Sequence, residues 1–91
     1  MPRLLLTARA KRDLIALPRA IQDAVVETLT LLEADPEGSG KQLRGRLEGL
    51  WSCRVGNYRI LYTIEGTSAR PRVIARAIRH RGVAYGQGRA R

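Results

Sequence analysis

Two arginines stand five positions apart in the stretch from Leu50 to Ile64, and the residues between them predict that their side chains meet. Two short β-type runs are joined there by Gly56-Asn57, a two-residue loop with glycine first that suits a type II′ hairpin turn. Such a turn places Arg54 directly opposite Arg59. Like charges opposite each other destabilise a sheet, so this pairing needs an explanation. Either the two side chains are solvated and bend apart, or the pair binds an anion.

The same register divides the hairpin into two faces, because side chains alternate along a strand. One face is apolar and is predicted to be core: Trp51, Cys53, Val55, Tyr58, Ile60, Tyr62 and Ile64. The other, the open face, carries Ser52, Arg54, Arg59, Leu61 and Thr63. The arginine pair is therefore expected on the side of the sheet that no helix covers.

The first half of the chain predicts the elements that cover the apolar face. Residues 3–6 form a short apolar run before Thr7, a suitable N-cap, and predict a strand that leads into a helix over 8–17. Pro18 separates this helix from a second one over 19–34. The second helix has a clean 3.6-residue apolar period at Ile21, Ala24, Val25, Thr28, Leu29 and Leu32.

The second half predicts a loop over 35–40, a polar and basic stretch over 41–49, the hairpin, a turn over 66–71, a strand over 73–78 and a basic tail over about 82–91. The fold class is thus α+β in a single domain over 1–91. An N-terminal strand and a two-helix antiparallel hairpin pack on one face of a mainly antiparallel sheet of about four strands.

The last strand is expected to place Ile74 and Ile78 in the core. This parity leaves Ala75, Ala77, Arg79 and Arg81 on the open face. It turns Arg76 inward, from where its side chain is expected to reach the sheet edge. Arginines from three strands around small residues would then form a surface for phosphate groups.

Composition supports a polyanionic or acidic partner. The 91-residue chain has a net charge of +9, with −1 in residues 1–40 and +10 in residues 41–91. Arginine far outnumbers lysine, which favours bidentate phosphate contacts, although a GC-rich genome would produce the same bias. With one cysteine and one histidine, we expect no disulfide, metal site or cofactor. No signal peptide or membrane span is visible, so a cytoplasmic protein is expected.

Four segments of the chain form a recognisable pattern: Leu43-Arg44-Gly45, Gly49-Leu50-Trp51, residues 54–62 (Arg-Val-Gly-Asn-Tyr-Arg-Ile-Leu-Tyr), and Ile78-Arg79-His80-Arg81 with Tyr85 four residues on. In these segments the chain resembles the RelE/ParE superfamily of bacterial type II toxin–antitoxin toxins. The resemblance implies a toxin neutralised by a cognate antitoxin. RelE-like members cleave mRNA on the ribosome without a metal: the RNA 2′-hydroxyl attacks the adjacent phosphate, which gives a 2′,3′-cyclic phosphate and a 5′-hydroxyl.

The resemblance also assigns roles to residues. Arg59 matches the strand arginine that clamps the phosphate, Arg54 the basic residue on the neighbouring strand, and Arg79 a stabiliser of the transition state. Tyr85 matches a tail tyrosine that stacks on a base or aids proton transfer, and it is equally open to a packing role. RelE has a further lysine where this chain has Ser52, which leaves the general base unassigned.

His80 is a second candidate for proton transfer, because the ordinary pKa of histidine lies near neutrality. The alternative is that His80 has no role in the reaction. Four further basic residues are expected to contact RNA phosphates or to serve only solubility: Lys41, Arg44, Arg46 and Arg81. Two alternatives to the endoribonuclease stay open. One is a ParE-like toxin that poisons DNA gyrase and does not need the sheet arginines; the other is a basic RNA-binding protein without toxicity.

Overall fold

A computed structural model of the protein describes residues 3–82. Within these residues, two helices and five strands follow each other as β1 (Leu4–Leu6), α1 (Ala8–Ile15), α2 (Arg19–Ala34), β2 (Lys41–Gln42), β3 (Trp51–Val55), β4 (Tyr58–Gly66) and β5 (Pro71–His80). A 3-10 turn over Gly45–Leu47 lies between β2 and β3. None of the helices in this part of the chain is long and apolar enough to cross a membrane.

The helices begin where the sequence predicts. Thr7 caps α1, since its hydroxyl oxygen accepts a hydrogen bond from the backbone N–H of Ala10 at 3.1 Å. Pro18 precedes α2, which spans the predicted residues. Helix α1 ends at Ile15, two residues before the predicted end.

The strands form one sheet in the order β1-β5-β4-β3-β2. Strand β1 runs parallel to β5, and the other pairs are antiparallel. The predicted α+β class and the helix hairpin over a mainly antiparallel sheet are confirmed. The fifth strand, β2, was not predicted, because two exposed polar residues show no alternation that would indicate a strand.

The hairpin register is confirmed residue by residue, with Arg54 opposite Arg59 and Val55 opposite Tyr58. Gly56 has a φ of 59°, and no non-glycine residue of the described chain has a positive φ. A positive φ at the first loop residue alone is the signature of a type II′ turn. The glycine is needed here because other residues rarely adopt this conformation.

The core lies between the helices and the predicted apolar face of the sheet. Its largest fully buried side chains are Tyr62, Leu32, Ile60, Val25 and Val73. Trp51, Tyr58 and Ile64 are half-buried against the same cluster. The face assignment of the hairpin is therefore confirmed, and the arginine face points away from the helices.

The predicted parity of β5 is wrong over residues 73–76. A β-bulge between Leu61 and Tyr62 of β4 leaves Arg76 as an extra residue, because Ala77 pairs with Leu61 and Ala75 with Tyr62. Val73 and Ala75 are buried in the core, whereas Ile74 is only half-buried. One extra residue exchanges the faces of everything before it. Ile78, Ala77 and Arg79 follow the bulge and keep their predicted faces.

Arg76 accordingly lies on the open face and does not point inward. Its Nε donates to the hydroxyl oxygen of Thr63 at 3.1 Å, and its guanidinium forms an ion pair with Glu65 at 3.1 Å. Both partners are on β4, in the interior of the sheet.

Beyond the end of β1, Thr7 and helix α1 provide the hydrogen-bond partners for the edge of β5. The backbone N–H of Thr7 donates to the carbonyl of Ala75 at 3.0 Å, and the Thr7 hydroxyl donates to the carbonyl of Arg76 at 3.1 Å. Further along, the Asp13 carboxylate accepts the backbone N–H of Ile78 at 2.9 Å. Thr7 and Asp13 thus satisfy the backbone groups at and after the bulge and fix the strand segment that carries Arg79.

Candidate nucleic-acid interface

Three arginines form a continuous row across the open face, the arginine row: Arg54 on β3, Arg59 on β4 and Arg79 on β5. Arg59 pairs with Arg54 on one side and with Arg79 on the other. Directly opposite residues in a sheet have Cβ atoms about 4.5–5.5 Å apart. Three guanidinium groups are therefore held within reach of a single phosphate group.

The members of the row differ in their environment. Arg54 is exposed, and its Nε donates to the carbonyl of Gly56 at 3.4 Å. Arg59 and Arg79 are half-buried. The Nε of Arg79 is buried without a hydrogen-bond partner among residues 3–82. An unpaired buried N–H costs about 1–3 kcal/mol, and the oxygen of a bound anion would satisfy it.

A second row provides a floor beside the arginines. It contains one residue from each of four neighbouring strands, each opposite the next: Ala77 on β5, Leu61 on β4, Ser52 on β3 and Lys41 on β2. Leu61 and Ala77 are buried, whereas Lys41 is exposed. Ala77 and Ser52, on either side of Leu61, have small side chains, so they do not crowd the neighbouring arginines.

Lys41 has a more specific position than the sequence indicated. It faces Ser52 across the β2–β3 pair and lines a cavity of about 470 Å³ together with Ser39, Gly40, Leu43, Ser52, Cys53, Arg54 and Arg59. From the sequence, Lys41 is expected only to contact phosphates in general, because the two-residue strand that carries it has no recognisable pattern. The polar pair after the glycine-rich loop was the one available signal.

The loop before Lys41 is fixed by Tyr62. The Tyr62 hydroxyl donates to the carbonyl of Pro36 at 2.7 Å, and the whole side chain is buried. Burial raises the pKa of Tyr62 to about 12. Gly40 packs so close to this hydroxyl that a Cβ atom there would overlap it. The loop therefore enters β2 along one path, which places Lys41 at the cavity.

His80 lies away from the arginine row. It pairs with Tyr58, which is on the core face of β4, and the two rings meet edge to face at 5.2 Å between centroids. Its Nδ1 accepts the backbone N–H of Gly82 at 3.2 Å. Strand alternation thus separates the imidazole from Arg79 by the thickness of the sheet.

The remaining predicted residues are spread over the surface. Arg44 and Arg46 are exposed at the 3-10 turn. Arg81 is exposed in the turn after β5, where its backbone N–H donates to the carbonyl of Asn57 at 2.7 Å. Tyr85 lies outside the described residues. Within residues 3–82, no three His, Cys, Asp or Glu side chains come together as metal ligands would.

The arrangement is suited to binding phosphate and to stabilising negative charge that develops on it. Guanidinium groups present planar, permanently charged donors that match phosphate oxygens. Donors fixed in position before the reaction stabilise a charged transition state without reorganisation. The fold and this row together define a small basic α+β protein with an anion-binding geometry on one face of its sheet.

Comparison with known families identifies the family to which this small basic protein belongs. Residues 4–85 match the family model described as the ParE toxin of the type II toxin–antitoxin system parDE. The chain belongs to this family of toxins, and the resemblance to the RelE/ParE superfamily is confirmed. It is 44% identical over 70 residues to Toxin RelE of Mycobacterium tuberculosis, an alignment that covers 76% of this chain and 72% of that protein.

Solved structures agree with the fold. The RelBE2 toxin–antitoxin complex from Mycobacterium tuberculosis contains a chain that matches with a TM-score of 0.77 and 38% identity, over 89% of this chain and 100% of that one. The YoeB/ParE toxin from Agrobacterium tumefaciens matches with a TM-score of 0.72 and 20% identity, over 88% and 98% of the two chains. The second likeness concerns the fold alone.

Proposed function

We propose that this protein is a ribosome-dependent mRNA endoribonuclease that inhibits translation in the cytoplasm and is neutralised by a cognate antitoxin. The observation that supports this most is the arginine row, in which the Nε of Arg79 has no partner among residues 3–82 and faces a side of the sheet that no helix of those residues covers. The likeness to proteins named Toxin RelE favours the nuclease over other toxin activities.

In the proposed reaction, the 2′-hydroxyl of the RNA loses its proton to a base and its oxygen attacks the adjacent phosphorus. The bond from phosphorus to the 5′ oxygen of the next nucleotide breaks, and that oxygen takes up a proton. Negative charge increases on the non-bridging oxygens in the transition state. Arg59 and Arg79 stabilise this charge, and Arg54 holds the phosphate from the exposed side.

Proton transfer is assigned to Tyr85 or His80. His80 is on the opposite side of β5 from Arg79, so it would have to act around the end of the sheet. Loss of cleavage in Tyr85→Phe with activity kept in His80→Gln would assign the transfer to the tyrosine, and the reverse pattern would assign it to the histidine. Lys41, Arg44, Arg46 and Arg81 are proposed to hold RNA phosphates around the site.

Primer-extension mapping of mRNA ends in a reconstituted translation system tests the proposal. We expect the wild-type protein to cut ribosome-bound message and the Arg59→Ala variant to cut at least about 100-fold more slowly, which is the usual effect of removing one transition-state donor. Arg19→Ala is the matched control, because it removes an exposed arginine from α2 on the other side of the protein. Equal rates in the two variants would contradict the role of Arg59.

Poisoning of DNA gyrase is the second candidate, since the matching family model is that of the ParE toxins. This function would be supported if the wild-type protein stops growth without producing new mRNA ends and if the Arg59→Ala variant stops growth equally well. A supercoiling assay with purified gyrase then replaces the primer-extension assay.

The antitoxin is proposed from the RelBE2 structure, which is a toxin–antitoxin complex. A chain with a net charge of +9 favours a partner with acidic residues. We expect the bound antitoxin to protect the arginine row, so that Arg54 and Arg59 become inaccessible to arginine-specific reagents in the complex. Unchanged modification of both residues would place the antitoxin elsewhere.

A further inference from the structure

A second group of arginines, the distal cluster, stands at the other end of the open face: Arg3, Arg70 and Arg72. Arg3 and Arg72 lie side by side where β1 meets β5, since the Arg3 carbonyl accepts the backbone N–H of Val73 at 2.8 Å. Alternation from the buried Val73 places Arg72 on the open face. The three arginines line a cavity of about 650 Å³ with Gly66, Thr67, Ala69 and Pro71.

The turn that carries Arg70 is well fixed. The backbone N–H of Arg70 donates to both the carbonyl and the hydroxyl oxygen of Thr67, at 3.1 and 3.0 Å. Gly66 has a φ of 86°, and a Cβ atom there would collide with the Arg70 carbonyl. The conformation of this turn therefore depends on glycine, and it holds Arg70 next to Arg72.

No carboxylate of residues 3–82 forms an ion pair with the distal cluster. Glu65 stands opposite Arg72 in the sheet, but its carboxylate is paired with Arg76 at 3.1 Å. None of the ion pairs in this part of the chain involves Arg3, Arg70 or Arg72. Three positive charges thus surround one cavity, whose remaining walls are small or polar.

We propose that the distal cluster is a second binding site for the phosphodiester backbone of RNA, separate from the arginine row. This inference rests on the proposed function. Glu65, the neighbour of Arg72, lies six positions after Arg59 on β4, which corresponds to about 20 Å at about 3.3 Å per residue. With a spacing of about 3.4 Å per nucleotide, as in each strand of duplex DNA, a stacked RNA strand of about six nucleotides spans the two sites.

The chemistry of the cavity favours RNA over a protein partner. A protein interface obtains most of its affinity from large apolar or aromatic anchors in a central pocket. The distal cavity offers only Ala69 and Pro71 as apolar walls. Arginine donors around a polar cavity instead fit phosphate oxygens, which need no apolar contact.

The test uses fluorescein-labelled 2′-O-methyl RNAs of 4 and 16 nucleotides, whose blocked 2′-oxygens prevent cleavage. Dissociation constants are measured by fluorescence anisotropy from 50 to 300 mM KCl. The variant Arg3→Gln/Arg70→Gln/Arg72→Gln removes the distal cluster. The control Lys11→Gln/Arg12→Gln/Arg19→Gln removes the same charge from exposed positions on the two helices.

We expect the distal variant to bind the 16-mer at least about 10-fold more weakly at 150 mM KCl and to lower the slope of log K against log salt by about 2, as three lost phosphate contacts predict. The 4-mer fits within the arginine row, so the distal variant should bind it with the same dissociation constant as the wild-type protein. The control should change 16-mer binding less than threefold. Urea unfolding verifies that the variant is folded.

Two results would overturn the inference. If the distal and control variants bind the 16-mer equally, or if the 4-mer is lost as strongly as the 16-mer, the cluster is not a separate RNA site. Unchanged 16-mer binding with weakened antitoxin binding would assign the cluster to a protein partner. Because the probes cannot be cleaved, a loss of 16-mer binding stands even if the mRNA mapping shows no nuclease.

Discussion

At the scale of single residues, Tyr62 combines two functions in one side chain. Its ring fills the core and stacks on Trp51 at 6.3 Å between centroids, while its hydroxyl holds the carbonyl of Pro36 at 2.7 Å. This bond joins the centre of the sheet to the loop that leads to Lys41. A hydrogen bond in the core thus helps to position one wall of the candidate site.

Tyr62 is expected to make stability depend on alkaline pH. Its pKa is raised from 10.0 to about 12 by burial, so the folded state retains a proton that the unfolded state releases first. The stabilisation is complete below pH 10 and is lost as pH rises through 12. Tyr62→Phe should lose about 1 kcal/mol at pH 7 from the missing hydrogen bond, and its stability should fall less steeply above pH 10.

Urea unfolding of both proteins at pH 7, 9.5, 10.5 and 11.5 measures this difference. Burial also raises the pKa of Cys53, and because that thiol is present in both proteins, the difference between them reports on Tyr62 together with its interaction with Cys53. Parallel loss of stability in the two proteins would show that Tyr62 does not titrate as described.

The arginine row was largely predictable at this scale. Arg54 and Arg59 flank a two-residue loop, which leaves one register, and Arg79 lies on the next strand of a meander. The distal cluster was not predictable in the same way. Arg3 is far from Arg70 and Arg72 in sequence and meets them only because β1 pairs with β5. Tyr85 lies outside the described residues, so its role remains a prediction.

At the scale of elements, the bulge at Arg76 and the start of α1 form one unit. The Thr7 hydroxyl accepts from Ala10 in the first turn of the helix and donates to the Arg76 carbonyl in the bulge. One side chain therefore caps a helix and satisfies the strand irregularity that separates the two parts of β5. Such bulges persist where their unpaired backbone groups have partners.

Replacing Thr7 by alanine should therefore cost more than an ordinary helix cap. We expect Thr7→Ala to lose about 2 kcal/mol of unfolding free energy, from the cap and from the unsatisfied bulge carbonyl together. Thr7→Ser keeps the hydroxyl and should stay within about 0.5 kcal/mol of the wild type. Urea denaturation followed by circular dichroism compares them; equal losses in the two variants would attribute the effect to the threonine methyl group.

The bulge also explains why the sequence could not predict which residues of β5 face the core. The stretch 73–78 alternates apolar and small residues in such a way that either parity buries some apolar side chain. A single inserted residue leaves no local pattern of its own, because its position is decided by partners such as Thr7 and Thr63. The helix over 19–34, with its long unbroken apolar period, required no such outside information.

At the scale of the whole molecule, charge is distributed very unevenly. Residues 1–40 carry −1 and residues 41–91 carry +10, and the sheet concentrates much of the excess on its open face. Repulsion among these charges opposes folding, and dissolved anions reduce it. The surface proposed to bind RNA is thus also a source of electrostatic strain in the free protein.

Phosphate should stabilise the protein beyond its effect on ionic strength. At five times its dissociation constant, an anion that binds only the folded state adds about 1 kcal/mol, or about 4–8 °C in Tm for a domain of this size. Thermal melts in phosphate and chloride at matched ionic strength, with wild type, Arg79→Gln and the control Arg19→Gln, measure it. Equal phosphate effects in all three proteins would indicate only general screening.

The contacts from α1 to β5 have a consequence for the solubility of the protein during synthesis. A long strand edge with open backbone groups is a template for strands of other chains and promotes aggregation. Thr7 and Asp13 occupy the edge of β5, the ten-residue strand, where β1 no longer covers it. The outer strands β1 and β2 have only three and two residues. These contacts leave little of that edge of β5 open to strands of other molecules, which lowers the tendency of newly made chains to aggregate.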